Sequence, residues 1–149
     1  MSYYMTCLVT KDPIETDDNA VCVKSDRFIF FPFKDNFQWL IKNARDFEST
    51  AIYFDSISSR DDFEEDPLMM ELISVIEKYK IKNFILEHYF EFGDIPAHHF
   101  FMKVADGYIV HDSLVFDEDD EISEQNYFRM HQHKKDFGLE DYWFSGMDL

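Results

Sequence analysis

Glycine and proline are scarce, with four of each in 149 residues, and cysteine occurs only twice. So few chain-breaking residues exclude a linker-rich or low-complexity chain. The glycines stand singly at Gly93, Gly107, Gly138 and Gly146. That excludes a glycine-rich loop able to cradle a phosphate. Cys7 and Cys22 have no C-x-x-C spacing and no basic, helix-start surroundings that would activate a thiol. Two free thiols in a reducing cytosol are expected. No apolar run approaches the length of a membrane span. Met1-Ser2-Tyr3-Tyr4 has neither the basic nor the apolar part of a signal peptide, so a cytoplasmic location is expected.

Positive charge is also short. Fourteen basic residues face 31 acidic ones, for a net charge of −17. A small domain needs a net charge of only about 2–8 for solubility. A surface this negative repels nucleic acid and anionic lipid, so direct binding of either is not expected. It attracts cationic surfaces.

Catalytic signatures are missing as well. No G-x-S-x-G elbow, H-E-x-x-H pair or D-x-D-x-D-G calcium loop occurs. The six histidines, His88, His98, His99, His111, His131 and His133, have no diagnostic spacing. Paired carboxylates can be drawn anywhere among 31 acids and carry no information. No cofactor and no metal are expected, and no catalysis. The alternative is a small metal-dependent enzyme using His88, His98 or His99, and His111 with Asp112.

What is present is a greasy, element-forming chain, 46% hydrophobic and with 17 phenylalanines. Its length suits one domain over residues 1–149. Residues 100–116 organise the rest. Two β-prone runs flank Asp106-Gly107, a strong hairpin signal, with Val104 expected opposite Ile109 and Met102 opposite His111. The hairpin runs into the acidic block Asp117-Glu118-Asp119-Asp120-Glu121.

Strands are expected at 3–10, 20–24, 27–31, 49–54 and 83–92. Phe28-Ile29-Phe30-Phe31 is apolar on both faces, which marks a doubly covered strand, and Pro32 should end it. Residues 83–92 alternate more cleanly and should have one drier face. Gly93-Asp94-Ile95-Pro96 reads as a turn. A helix is expected from Asp35 to about Phe47. A second should start at Pro67 behind an Asp66 cap, with a stripe of Leu68, Leu72, Val75, Ile76 and Tyr79. A third should run from a Ser123 cap through Lys135, with Tyr127 and Met130 as a thin apolar side. The expected architecture is α+β: a mixed, mostly antiparallel sheet with two to three packed helices.

The acidic runs are the feature that points to function. Asp112, Asp117, Glu118, Asp119, Asp120, Glu121 and Glu124 form one cluster. Asp61, Asp62, Glu64 and Glu65 form another. Each reads either as a solvated loop or as an electrostatic face for a cationic partner. Complementary charge speeds encounter, while a few desolvated aromatics supply affinity. Tyr108, Tyr142 and Trp143, with Phe144, are the candidate anchors. The terminal triplet either packs back on the body or meets the partner.

Basic clefts are typical of proteins that handle nucleic acid. Carboxylates spaced on a rigid frame can stand where phosphates would lie, since duplex DNA offers one charge per ~1.7 Å. In class, a small acidic α+β chain without motifs resembles bacterial immunity proteins that neutralise nuclease toxins, and phage-type inhibitors of host defence nucleases. No motif residue carries that resemblance. It implies a stoichiometric inhibitor of a basic nuclease or other nucleic-acid-binding protein.

Overall fold

The computed structural model describes residues 2–16, 22–24, 27–33, 52–53, 67–92, 95–116 and 121–139. Within them the element order is β1 (Ser2–Thr10), β2 (Val23–Lys24), β3 (Ile29–Phe33), β4 (Ile52–Tyr53), α1 (Pro67–Tyr79), β5 (Phe84–Phe92), β6 (Ile95–Ala105), β7 (Tyr108–Phe116) and α2 (Glu121–Phe137). The expected helix at 35–47, the loop at 56–65, the Asp66 cap and the tail beyond Leu139 lie outside the described residues.

The strands form one sheet in the order β2-β3-β1-β5-β6-β7-β4. Every ladder among the described residues is antiparallel, so the expected mixed character is absent there. The consecutive β5, β6 and β7 pair as neighbours, and β1 runs antiparallel along the full length of β5. Parallel pairing would instead need crossover connections.

Among the described residues, one helix covers each face. α1 lays Leu72, Ile73 and Ile76 on Leu8, Phe31, Leu86, Phe100 and Met102. The other face packs Met130 and Phe137 of α2, with Leu139, against Cys7, Val9, Phe30, Ile85 and Phe101. Each fully buried side chain of this size contributes about 1.5–3 kcal/mol. The two covers explain the sequence of β3, where Phe30 and Phe31 point opposite ways and both are buried.

Several expectations need correction. Pro32 does not end β3, which continues to Phe33 with Pro32 opposite Cys7. The partner β2 reaches only Ile29 and Phe30, so the flank beside Pro32 carries no ladder among the described residues. An edge-like position tolerates a residue without an N–H. The second face of β5 is not wet at Ile85 and Glu87, which are as buried as Phe84 and Leu86 because α2 covers them. β6 begins at Ile95, paired with Phe92, so Ile95 and Pro96 belong to the strand and not to the turn. Ser123 lies inside α2 and is not its cap.

The hairpin turn is as expected. Asp106 and Gly107 both have positive φ, 51° and 84°, as a two-residue turn of this hand requires. Val104 faces Ile109, but Met102 faces Asp112 and Lys103 faces His111. The register shifts between Lys103 and Val104, leaving Val110 without an opposite number. This bulge exchanges the faces of everything beyond it on β7. His111 turns toward α2, and Asp112 turns toward the α1 side.

Candidate functional site

α2 is the element that joins the acidic block to the body of the protein. It contains no glycine or proline, opens on Glu121 and Glu124, and closes on Lys134 and Lys135. Those charges oppose the helix dipole at each end. Gln132 Nε2 donates to Asp136 Oδ1 at 3.1 Å one turn on. Gly138 stops the helix at φ 97°. Its N–H donates to Lys135 O at 3.0 Å, and the N–H of Leu139 donates to Lys134 O at 2.8 Å. This pair of bonds is the Schellman arrangement, with the buried Leu139 as its apolar plug. Lys11 Nζ donates to Phe137 O at 3.1 Å, and Arg27 Nη2 to Gly138 O at 3.4 Å. The C-terminal end of α2 is thus fixed from β1 and from the start of β3.

The outer face is different. Glu121, Glu124, Gln125, Phe128 and Arg129 line a shallow surface depression. Phe128 is 72% exposed, the most open of the large apolar side chains at Met70, Tyr108 and Phe128. Carboxylates at 121 and 124 and an aromatic ring at 128 lie within two turns of one another. Chemically this surface can attract a cation and offer it a ring face.

The inner face carries a polar seam that sequence reasoning missed. Glu87 on β5 is 1% exposed. Its Oε1 accepts from Lys134 Nζ at 3.1 Å and bonds His99 Nε2. Its Oε2 has no hydrogen-bond partner among the described residues. Burial alone would raise the Glu87 carboxyl. The adjacent His99 and Lys134 outweigh it by charge and hydrogen bond, and hold the group below the usual glutamate range. Burial, reinforced by Glu87, pushes the Cys7 thiol up and keeps it protonated. Tyr89 and Tyr127 set their rings edge-on to His99. Further along, His111 and His133 stack with ring centroids 4.6 Å apart.

The expected partner-binding residues are distributed unevenly. Glu121 and Glu124 are exposed on the first turn of α2. Tyr108 is 47% exposed at the hairpin turn, paired with Ala105 and Tyr53. Asp112 is only 5% exposed, and this corrects its place in the acidic face. It belongs to a strand covered on both sides, and the bulge at Val110 turns it inward toward the α1 layer. Asp117, Glu118, Asp119, Asp120, Asp61, Asp62, Glu64, Glu65, Tyr142 and Trp143 lie outside the described residues.

The residues of the metal alternative do not share a face. His88 accompanies Leu86 on the α1 side, with Thr6 Oγ1 2.8 Å from its Nδ1. Asp112 is on that side too. His99 and His111 are on the α2 side. Among the described residues, no group of three or more His, Cys, Asp or Glu is placed to hold a metal ion. No helix among them is long and apolar enough to cross a membrane. Comparison of the chain with family models, with curated proteins and with solved structures finds no match.

Proposed function

We propose that this protein is a non-enzymatic acidic inhibitor that blocks a basic, nucleic-acid-handling protein by stoichiometric binding. The observation that carries the reading is the outer face of α2, where Glu121 and Glu124 lie two turns and one turn before an open Phe128 in the same shallow depression. The excess of 17 negative charges supplies long-range attraction to a cationic cleft. The carboxylates then stand in for backbone phosphates, and the aromatic ring is desolvated at the centre of contact. A toxin-neutralising immunity protein and a phage-type defence inhibitor share this physics. Either would act in the compartment that holds its target, which the reading takes to be the cytoplasm.

The test is capture of partners from a cell extract at about 50 mM salt and again at about 500 mM. The reading expects a basic nuclease or nucleic-acid-binding protein that is retained at low salt and lost at high salt. Its activity on nucleic acid should fall in proportion to added inhibitor and stop at one equivalent. A retained protein whose activity is untouched would overturn the reading.

A further inference from the structure

Phe128 is 72% exposed, while Met130, two residues on, is fully buried. The ring takes no part in seating α2, which rests on Met130 and Phe137. Its neighbours on the helix form a pattern. Glu121, Glu124, Gln125 and Phe128 stand at spacings of three, four and seven, which places them on one stripe. With Arg129 on the flank they line the shallow depression. Glu124 lies one turn before the ring, about 6 Å along the axis, and Glu121 about 10 Å. The Phe128 side chain leans toward the helix start, as helical side chains do, and so toward Glu124. Two carboxylates outweigh the partial positive charge of that helix end.

A flat ring beside carboxylates makes two demands of a ligand. The ring favours a broad, weakly hydrated face that can stack on it. The carboxylates favour positive charge with directed donors. A guanidinium meets both together, being planar, delocalised, weakly hydrated and armed with a rigid fork of N–H groups. It can lie over Phe128 and turn one edge to Glu124 for a charge-assisted, two-bond contact. A lysine ammonium is compact and strongly hydrated, and gains little by trading water for an exposed ring. Arg129 carries like charge on one flank, which disfavours a second cation in the same depression.

We propose that the depression around Phe128 receives one arginine side chain of the partner: the guanidinium stacks on the ring and bonds Glu124, while Glu121 adds attraction. The assignment rests on the reading that the outer face of α2 meets a cationic protein, and it narrows that protein's contribution to arginine rather than lysine. Clefts that grip phosphate through paired bonds hold arginine for the same geometric reason. An arginine that pairs with a phosphate can pair with Glu124 in its place, and Phe128 adds a ring contact that phosphate lacks.

Two blocked tripeptides test it, one with arginine and one with lysine between glycines. They are equal in charge, so general attraction to a chain of net charge −17 cancels between them. The full chain is titrated with each to tens of millimolar and followed by NMR. The Phe128 ring and the amides of Glu124 to Phe128 should shift saturably, and arginine should bind at least fivefold more tightly than lysine. In Phe128→Leu that preference should fall below twofold with lysine affinity unchanged, and Glu124→Gln should weaken both peptides. Equal affinities, no shift at the ring, shifts centred on another acidic surface, or a preference that survives Phe128→Leu overturn the site. The two readings fail separately. A basic partner captured at low salt with no arginine preference at Phe128 removes the site and leaves the inhibitor standing. An arginine preference with no basic partner captured does the reverse.

Discussion

Lys134 reaches from the inner face of α2 to place its ammonium 3.1 Å from the carboxylate of Glu87, a residue 47 positions earlier in the chain. Both side chains are nearly closed to water, at 9% and 1% exposure. Dispersion between Met130, Phe137 and the sheet holds α2 down but says little about its direction. A charged pair with a fixed bond does specify one seating, which is the best-attested use of buried ion pairs.

Removing one partner should therefore cost more than removing both. Lys134→Met leaves the buried Glu87 carboxylate with His99 as its remaining bonded partner, and should destabilise the fold by about 3 kcal/mol, the lower end of the cost of breaking a buried pair. The double variant Glu87→Met with Lys134→Met replaces the pair by apolar contact and should come within about 1–2 kcal/mol of wild type. Urea denaturation of the two singles and the double closes the cycle. A double variant as unstable as the worse single would mean that the pair is not acting as a unit.

Acid should weaken the same contact from the carboxylate side. The folded Glu87 lies below the unfolded glutamate value of about 4.3. Its contribution is full above that value and is lost as pH falls through the lower, folded one. Glu87→Gln should thus flatten the stability profile below about pH 4.3 without changing its slope there from other carboxylates. Thermal midpoints collected from pH 5 down to pH 2.5 check this, and identical slopes for the two proteins would count against it.

Much of the architecture can be read from short-range chemistry. Asp106-Gly107 announces its turn because few other pairs accept positive φ twice. Phe28 to Phe31 announces a strand covered on both sides. The polar seam leaves no such mark. Glu87 sits in an alternating strand and reads as a solvated residue, and only α2, which brings Lys134 to it from 47 positions further along the chain, shows otherwise. Lys134 itself is equally well explained by the helix dipole. The bulge at Val110 has no glycine to flag it, so the faces of His111 and Asp112 come out reversed. Burial by a distant element and a one-residue slip are both long-range facts, invisible to periodicity.

The two helix ends offer a paired test of backbone strain. α1 closes in the same way as α2: Lys80 N–H donates to Glu77 O at 3.3 Å and Ile81 N–H to Ile76 O at 3.0 Å. Lys80 adopts φ 54° there without being glycine. Its Cβ crowds the backbone, a strain of roughly 1–2 kcal/mol. Lys80→Gly should relieve it and stabilise the protein by about 0.5–1 kcal/mol after the added freedom of the unfolded chain. Gly138→Ala should do the reverse, costing about 1 kcal/mol or more at φ 97°. Denaturation midpoints moving in the same direction for both substitutions would contradict the shared cap.

The cap on the β5 end can be tested through Asp12. Its Oδ2 accepts from the N–H of Lys82 at 2.8 Å and of Asn83 at 3.1 Å, and its Oδ1 from Asn83 Nδ2 at 3.2 Å. Asn83 in turn takes the Asp106 N–H on its Oδ1 at 3.0 Å, so one carboxylate orders the entry to β5 and the hairpin turn together. Asp12→Ala removes the acceptor and leaves three donors to find water. Bonds to a charged group are each worth about 1.5–3 kcal/mol, and partial exposure brings the expected loss to roughly 2–3 kcal/mol in all. Asp12→Asn keeps one oxygen for the two backbone N–H groups but sets an NH2 against Asn83 Nδ2, and should recover less than half of it. Equal losses for the two would show that one neutral acceptor oxygen does not hold the loop.

Phe128 separates docking from folding. At 72% exposure it contributes almost nothing to the core, and alanine is the better helix former. Phe128→Ala should leave the denaturation midpoint unchanged or raise stability by up to about 0.5 kcal/mol. If the outer face of α2 is the contact surface, the same change should weaken partner binding at least tenfold, chiefly through a faster off-rate, because a desolvated aromatic anchor holds a complex that charge has already assembled. Glu121→Gln with Glu124→Gln should act the other way round, slowing association and flattening its salt dependence while the off-rate moves little. Association and dissociation rates of the captured partner, measured across a salt series for both variants, distinguish the two contributions. An unchanged off-rate in Phe128→Ala would move the contact surface away from this helix.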